Sequence, residues 1–273
     1  MGASPECPRG PAKLRAQPSE RLADRVPALS PSRSRWTSST EVVECEGVAA
    51  LLDNVIWQAL AGSQRACSVG TERVRRYAPG FSPLLGFADP ARPDFAGLGP
   101  FCGPDESLLC SDWTGPMPAG WGLEEEATLY RMIWAGSPPT ADVGPEAVHL
   151  GPEHALAALA LAQLTQPGPF GPRTIELGAY FGVFEDGCLV AMAGERLQAG
   201  SLREISGVCT EPRYRGQGLA RRLVTALIAR QWARGQTPFL HVRRDNFAVQ
   251  FYERLGFRRH SEPVVRVVTR LRE

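Results

Sequence analysis

Lysine and asparagine are almost missing from this chain. One lysine (Lys13) and two asparagines (Asn54, Asn246) occur in 273 residues. Arginine carries nearly all the positive charge. That usage reflects a GC-rich genome, so a single arginine says less about function than it otherwise would. The missing lysine excludes a Walker A phosphate loop, which needs G-x-x-x-x-G-K-[ST]. Paired cysteines are missing too. Cys7, Cys45, Cys67, Cys102, Cys110, Cys188 and Cys209 form no C-x-x-C, which argues against a zinc site or a disulfide framework and for a reducing, cytoplasmic setting. His149, His154 and His260 have no metal-ligand spacing, so no metal is expected. No apolar run approaches the ~18 residues that cross a bilayer, so no membrane association is expected. The opening residues MGASPECPRGPAKLRAQ lack the apolar core of a secretory signal.

Against these absences stands an ordinary globular composition, 43% hydrophobic and 22% charged, long enough for about two domains or one large one. The net charge of +1 hides an asymmetry. From Arg196 onward there are sixteen arginines and six acidic residues, whereas Glu41–Ala135 holds thirteen acidic residues and six basic ones. The basic third suits a polyanionic ligand, or the two regions neutralise each other.

Residues 1–40 mix Pro, Arg and Ser with little apolar periodicity and read as a disordered tail. Residues 41–135 read as a smaller α/β domain of unknown role. It contains one helical pattern (Ala49–Ala61) and apolar runs at Ser107–Cys110 and Ala127–Trp134. The turn-rich stretch 136–146 reads as a linker. From 147 to 273 strands and helices alternate. Strands are expected at Ala147–Leu150, Tyr180–Phe184, Leu189–Leu197, Leu202–Thr210, Thr237–Val242 and Val264–Leu271. Helices are expected at Glu153–Leu164, Gln217–Arg234 and Phe247–Leu255. An Asp186-Gly187 turn closes the first hairpin. The fold class expected is α/β (α+β), with a mixed sheet that has a parallel portion.

The most informative segment is Arg215-Gly216-Gln217-Gly218-Leu219-Ala220, between a strand and an amphipathic helix. Glycines there free backbone N–H groups to point outward, and the helix N-terminus adds partial positive charge, which together suit a pyrophosphate. A Rossmann turn is excluded because Arg221 stands at the third glycine position.

Arg215, Gly218 and Ala220 match [QR]-x-x-G-x-[GA], the cofactor signature of the GNAT superfamily of N-acetyltransferases, which this chain resembles. Val208-Cys209-Thr210-Glu211-Pro212 is similar to that family's fourth strand and the turn after it. Asn246 to Phe257 (NFAVQFYERLGF) is similar to its terminal motif. The likeness covers about residues 147–271. GPFGPRTIELG, VAMAGERL, EISGVCT and PFLHV also resemble a bacterial subgroup with an extra N-terminal region. In one departure, Asn246 precedes Tyr252 by six residues where seven is common, so aligning back from Tyr252 puts Asp245 in the asparagine slot.

The resemblance implies a partly splayed sheet and acetyl transfer from acetyl-CoA to an amine in a ternary complex. Pyrophosphate would lie on the backbone of Arg215, Gly216, Gln217, Gly218, Leu219 and Ala220, with Asn246 a further cofactor contact. Pantetheine would pair with Val208, Cys209 and Thr210. A backbone N–H near Val208 would polarise the thioester carbonyl. Tyr252 would protonate the leaving thiolate. For the base, His241 stands where the ribosomal-protein N-acetyltransferase branch carries its glutamate, although alignment from Tyr252 puts Leu240 there. Glu204 shares a strand face with Ser206, Val208 and Thr210. Both stay open beside solvent. Cys209 reads as a buried apolar residue rather than a nucleophile.

Two other classes fit less well. A non-catalytic acyl-CoA-binding module would not need to retain both Gly218 and Tyr252. A nucleic-acid binder would show exposed aromatics interleaved with the arginines, which are missing. The acceptor amine is not encoded in these motifs; its pocket is expected from loops such as Thr165–Pro172, and oligomeric state is not encoded either.

Overall fold

The computed structural model describes residues 40–137, 139 and 147–272, with side chains from Gly47 onward. The tail expected at 1–40, apart from Thr40, and most of the expected linker lie outside them. In chain order the helices are α1 (Thr40–Asp53), α2 (Val55–Ala61), α3 (Phe95–Leu98), α4 (Ala155–Thr165), α5 (Leu219–Ala233) and α6 (Ala248–Arg254). The strands are β1 (Ser68–Gly70), β2 (Val74–Tyr77), β3 (Leu85–Phe87), β4 (Ser107–Ser111), β5 (Trp121–Trp134) and β6 (Ala147–His149), then β7 (Tyr180–Glu185), β8 (Cys188–Ala199), β9 (Leu202–Thr210), β10 (Thr237–Arg243), β11 (Phe257–Ser261) and β12 (Val264–Arg270).

A small antiparallel sheet holds β1–β3. The principal sheet runs β4-β12-β5-β10-β9-β8-β7-β6, with β11 also paired to β5. The expected hairpin forms, with Asp186 and Gly187 both at positive φ (49° and 81°), the backbone of a turn that matches strand twist. The expected parallel portion is β9–β10. Leu219, Leu223, Val224, Leu227 and Ile228 of α5 are buried in one core with Val190, Ile205 and Leu240. A second core joins α2 to Leu197, Leu202 and Phe239, and a third sets α4 against Tyr180, Met192 and Cys209.

The chain does not divide at 136–146. β5 lies inside the principal sheet. Its first half pairs with β12 (Val264↔Thr128 through Arg270↔Trp121), and its second half pairs with β10 (Phe239↔Ile133 through Arg243↔Leu129). Residues 45–273 form one compact unit. The reason is hydrogen-bond accounting: without β5, facing edges of β10 and β12 would lose their ladder partner. A chain starting at Gly136 is therefore expected to aggregate, or to unfold without a cooperative urea transition. A folded, monodisperse fragment binding acetyl-CoA like the full chain would refute this account.

The charge asymmetry has an internal component. Glu125 pairs with Arg243, Glu126 with Arg266 at 2.7 Å, and Asp105 with Arg272. Acidic residues of the first half thus meet basic partners from the last third. Cys67, Cys102, Cys110 and Cys209 carry free thiols; Cys188 does not.

Candidate active site

The parallel pairing of β9 and β10 starts at Leu202↔Thr237 and stops at Glu204↔Phe239, although both strands continue. A wedge opens beyond that point. Gly207, at φ +62°, sits where the β8–β9 register slips. A Cβ there would lie 3.0 Å from the Tyr180 ring, so the kink needs both the left-handed backbone and the absent side chain. A cavity of about 440 Å³ occupies the wedge, and Val208, His241, Asn246 and Tyr252 all line it.

Next to the wedge, Gly218 is the N-cap of α5 at φ +77°, with Gly216 at φ +81°. A Cβ at either position would meet nothing within 4 Å, so the turn faces open space. Among the described residues, the N–H groups of Gly216 through Ala220 donate no backbone hydrogen bond. An anion placed there would meet a row of open donors at a helix N-terminus. Arg215 is turned back, its Nε donating to the Thr210 carbonyl at 3.3 Å.

Tyr252 is 9% exposed, with its ring against Phe251 and Phe257 (centroids 5.1 and 5.9 Å away). Burial pushes its phenol pKa well up, so the proton stays on the oxygen at any working pH. Cys209 sits in the α4 core rather than in the cavity wall, and burial raises its thiol to about 11. Only its backbone can serve a ligand in the wedge, and it is no thiolate nucleophile. The Asn246 Oδ1 accepts the Ala248 N–H at 2.8 Å. That bond ties the side chain to the turn into α6, so the expected cofactor contact is in part a structural one.

His241 and Glu204 meet, in a way that corrects the expectation of a free base. The His241 Nδ1 lies 2.8 Å from Glu204 Oε1, and the Arg131 Nε donates to His241 Nε2 at 3.1 Å. A guanidinium can only donate, so Nε2 must accept. The ring proton therefore sits on Nδ1 and goes to Glu204, and the imidazole is neutral. Glu204 is full as well. Arg196 grips both its oxygens at 2.8 and 2.9 Å, and the Leu197 N–H adds a fourth donor at 3.3 Å. Asp112 closes the far end on Arg131. Burial lowers the His241 pKa against the pull of Glu204. In Glu204 burial works upward, but the Arg196 charge and hydrogen bonds outweigh it and hold the carboxylate well below its usual range. Neither group has a lone pair open to an incoming ammonium.

This cluster makes the fold acid-sensitive. Both pKa values lie below their unfolded ones, so the unfolded chain takes up protons first and stability falls as pH drops. The histidine contribution is complete above 6.5, its ordinary value, and is lost below it; the glutamate contribution follows below 4.5. Urea midpoints should thus fall between pH 7 and 5.5, and His241→Gln should flatten that segment. An unchanged slope in the variant would mean that His241 takes up its proton equally in the folded and unfolded chain, and a steeper one that it is protonated in the native state.

Three members of the cluster, Asp112, Arg131 and Arg196, lay outside the sequence reading. The available signal was a charge inside an apolar strand run: Arg131 in ATLYRMIW and Arg196 in VAMAGERL. Such a charge is almost never buried without partners. The loop residues 166–169 do line the cavity, as expected of Thr165–Pro172. The wall opposite comes from α2, β4, β5 and β12, which no motif marked.

A strand wedge beside a helix start with open N–H donors is the arrangement of an acetyltransferase fold. The family model for FR47-like proteins matches residues 180–267. A solved GNAT-family structure from Novosphingobium aromaticivorans, assigned as an acetyltransferase, is 37% identical, covers 81% of this chain and 99% of its own, and superposes with a TM-score of 0.74. A GCN5-related N-acetyltransferase from Kribbella flavida is 20% identical over 81% of this chain and 95% of its own, with a TM-score of 0.48. No curated protein matches. The chain belongs to the GNAT family. Among the described residues no helix is long and apolar enough to cross a membrane, and no group of three His, Cys, Asp or Glu side chains could hold a metal.

Proposed function

We propose that this protein is an acetyl-CoA-dependent N-acetyltransferase acting by direct attack in a ternary complex. The observation that carries the reading is the conjunction of three features. β9 and β10 part after Glu204↔Phe239, open N–H donors lie at Gly216–Ala220 beside the gap, and Tyr252 lines the same cavity. The pyrophosphate is held at the α5 N-terminus and the pantetheine arm runs along the free edge of β9 at Val208–Thr210. An N–H near Val208 receives the oxyanion.

The acceptor nitrogen attacks the thioester carbonyl carbon and the C–S bond breaks. Tyr252 gives its proton to the departing sulfur. With His241 and Glu204 committed to each other, the amine arrives as its free base, its second proton leaves to water, and water returns a proton to the Tyr252 phenolate. The rate then follows the acceptor's own ionisation. Thiol release from acetyl-CoA across a panel of amines, with mass spectrometry of the product, tests the reading. Acetyl-CoA binding without release from any amine would favour the non-catalytic acyl-CoA-binding module instead.

A further inference from the structure

One wall of the cavity is a face of the principal sheet. Cross-strand pairing aligns Leu109 with Val267 and Val267 with Glu125, and Ser111 with Val265 and Val265 with Ala127. These residues line the cavity, as does Leu129. Apart from Ser111, whose hydroxyl is spent on Asp112 at 2.6 Å, the rows are aliphatic up to Glu125. Glu125 is the single carboxylate lining the cavity among the described residues, and Arg243 already holds it. The cationic lining residues, Arg196 and Arg243, are paired with Glu204 and Glu125, so the lining has no unpaired negative charge for a second ammonium.

We infer that the acceptor is a monoamine with an apolar carbon body, and that diamines and polyamines are excluded. The inference rests on the acetyltransferase reading above and adds the substrate class. A chain of methylenes laid on Leu109, Val267, Val265 and Leu129 leaves water for an apolar wall, which favours binding. A second ammonium on the same chain would lose water without finding an unpaired carboxylate, a cost no contact there offsets.

Hexylamine and 1,6-diaminohexane differ by that one group. With the full-length protein and acetyl-CoA, kcat/KM for hexylamine is expected to exceed that for the diamine by at least about tenfold, against a statistical factor that favours the diamine. Shortening hexylamine to butylamine should cost roughly three- to fourfold per methylene removed. Val267→Glu, which places a carboxylate in the middle of the wall, should narrow the hexylamine-to-diamine ratio while leaving acetyl-CoA affinity unchanged. Equal or reversed efficiency with the two amines in the wild-type protein would overturn the monoamine assignment and leave the acetyltransferase reading standing. No thiol release from either, while another amine of the panel does give release, would overturn the monoamine assignment alone; no release from any amine, with acetyl-CoA bound, would overturn both.

Discussion

Gly218→Glu is expected to lower acetyl-CoA affinity at least about 100-fold. Gly218 is the N-cap of α5 and faces open space, so a new side chain there enters the volume where an anion would sit. Glutamate would fill it with negative charge, and like-charge juxtaposition at an interface costs several kcal/mol, where about 2.8 kcal/mol is already 100-fold. The backbone contributes separately. At φ +77° any L side chain is strained, by about 1–2 kcal/mol. Gly218→Ala carries that strain without the charge, so the difference between the two variants isolates the electrostatic part. Calorimetric titration gives the affinities and urea unfolding gives the shared strain. Equal affinities in the two variants would remove the anion from this turn.

Tyr252→Phe is expected to reduce kcat by about 10²-fold, the lower end of the range for a general acid whose role water can partly take over. The substitution removes one hydroxyl and keeps the ring packing on Phe251 and Phe257. Among the described residues that hydroxyl makes no hydrogen bond within the protein, so its loss strands no partner. An interaction made only in the transition state lowers kcat and kcat/KM together. Acetyl-CoA affinity should hold, because the α5 N-terminus and the β9 edge are untouched. Because burial pushes the phenol pKa up, wild-type kcat should show no alkaline decline from this group below pH 10. A kcat within about twofold of wild type, measured where chemistry is rate-limiting, would make Tyr252 a packing residue alone.

The sequence by itself determined most elements from Ala147 onward, but not β11 (Phe257–Ser261), where no strand was expected. Leu202–Thr210 is the strand expected, and the helix expected at Gln217–Arg234 is α5. Their signals are local: apolar period, a D-G turn, a glycine before a helix and another after it. The same locality made the anion-binding turn legible, because its donors belong to five consecutive residues. Tyr252 was legible only through the motif; its neighbours Phe251 and Phe257 gave no reason to set it apart from core aromatics.

What only the tertiary structure decided is everything that depends on pairs far apart in sequence. Arg131 and His241 are 110 residues apart and Arg131 and Asp112 nineteen, and no pattern along the chain specifies either contact. The same holds for β5, which falls in the region 41–135 read as a separate domain. Its hydrogen-bond partners are β12 and β10, more than a hundred residues later. The fate of the two candidate bases follows from this. Residue type made His241 and Glu204 fit to move a proton. Two arginines, brought in by β5 and β8, fill their lone pairs, because charges buried at that depth persist only when every donor and acceptor is matched.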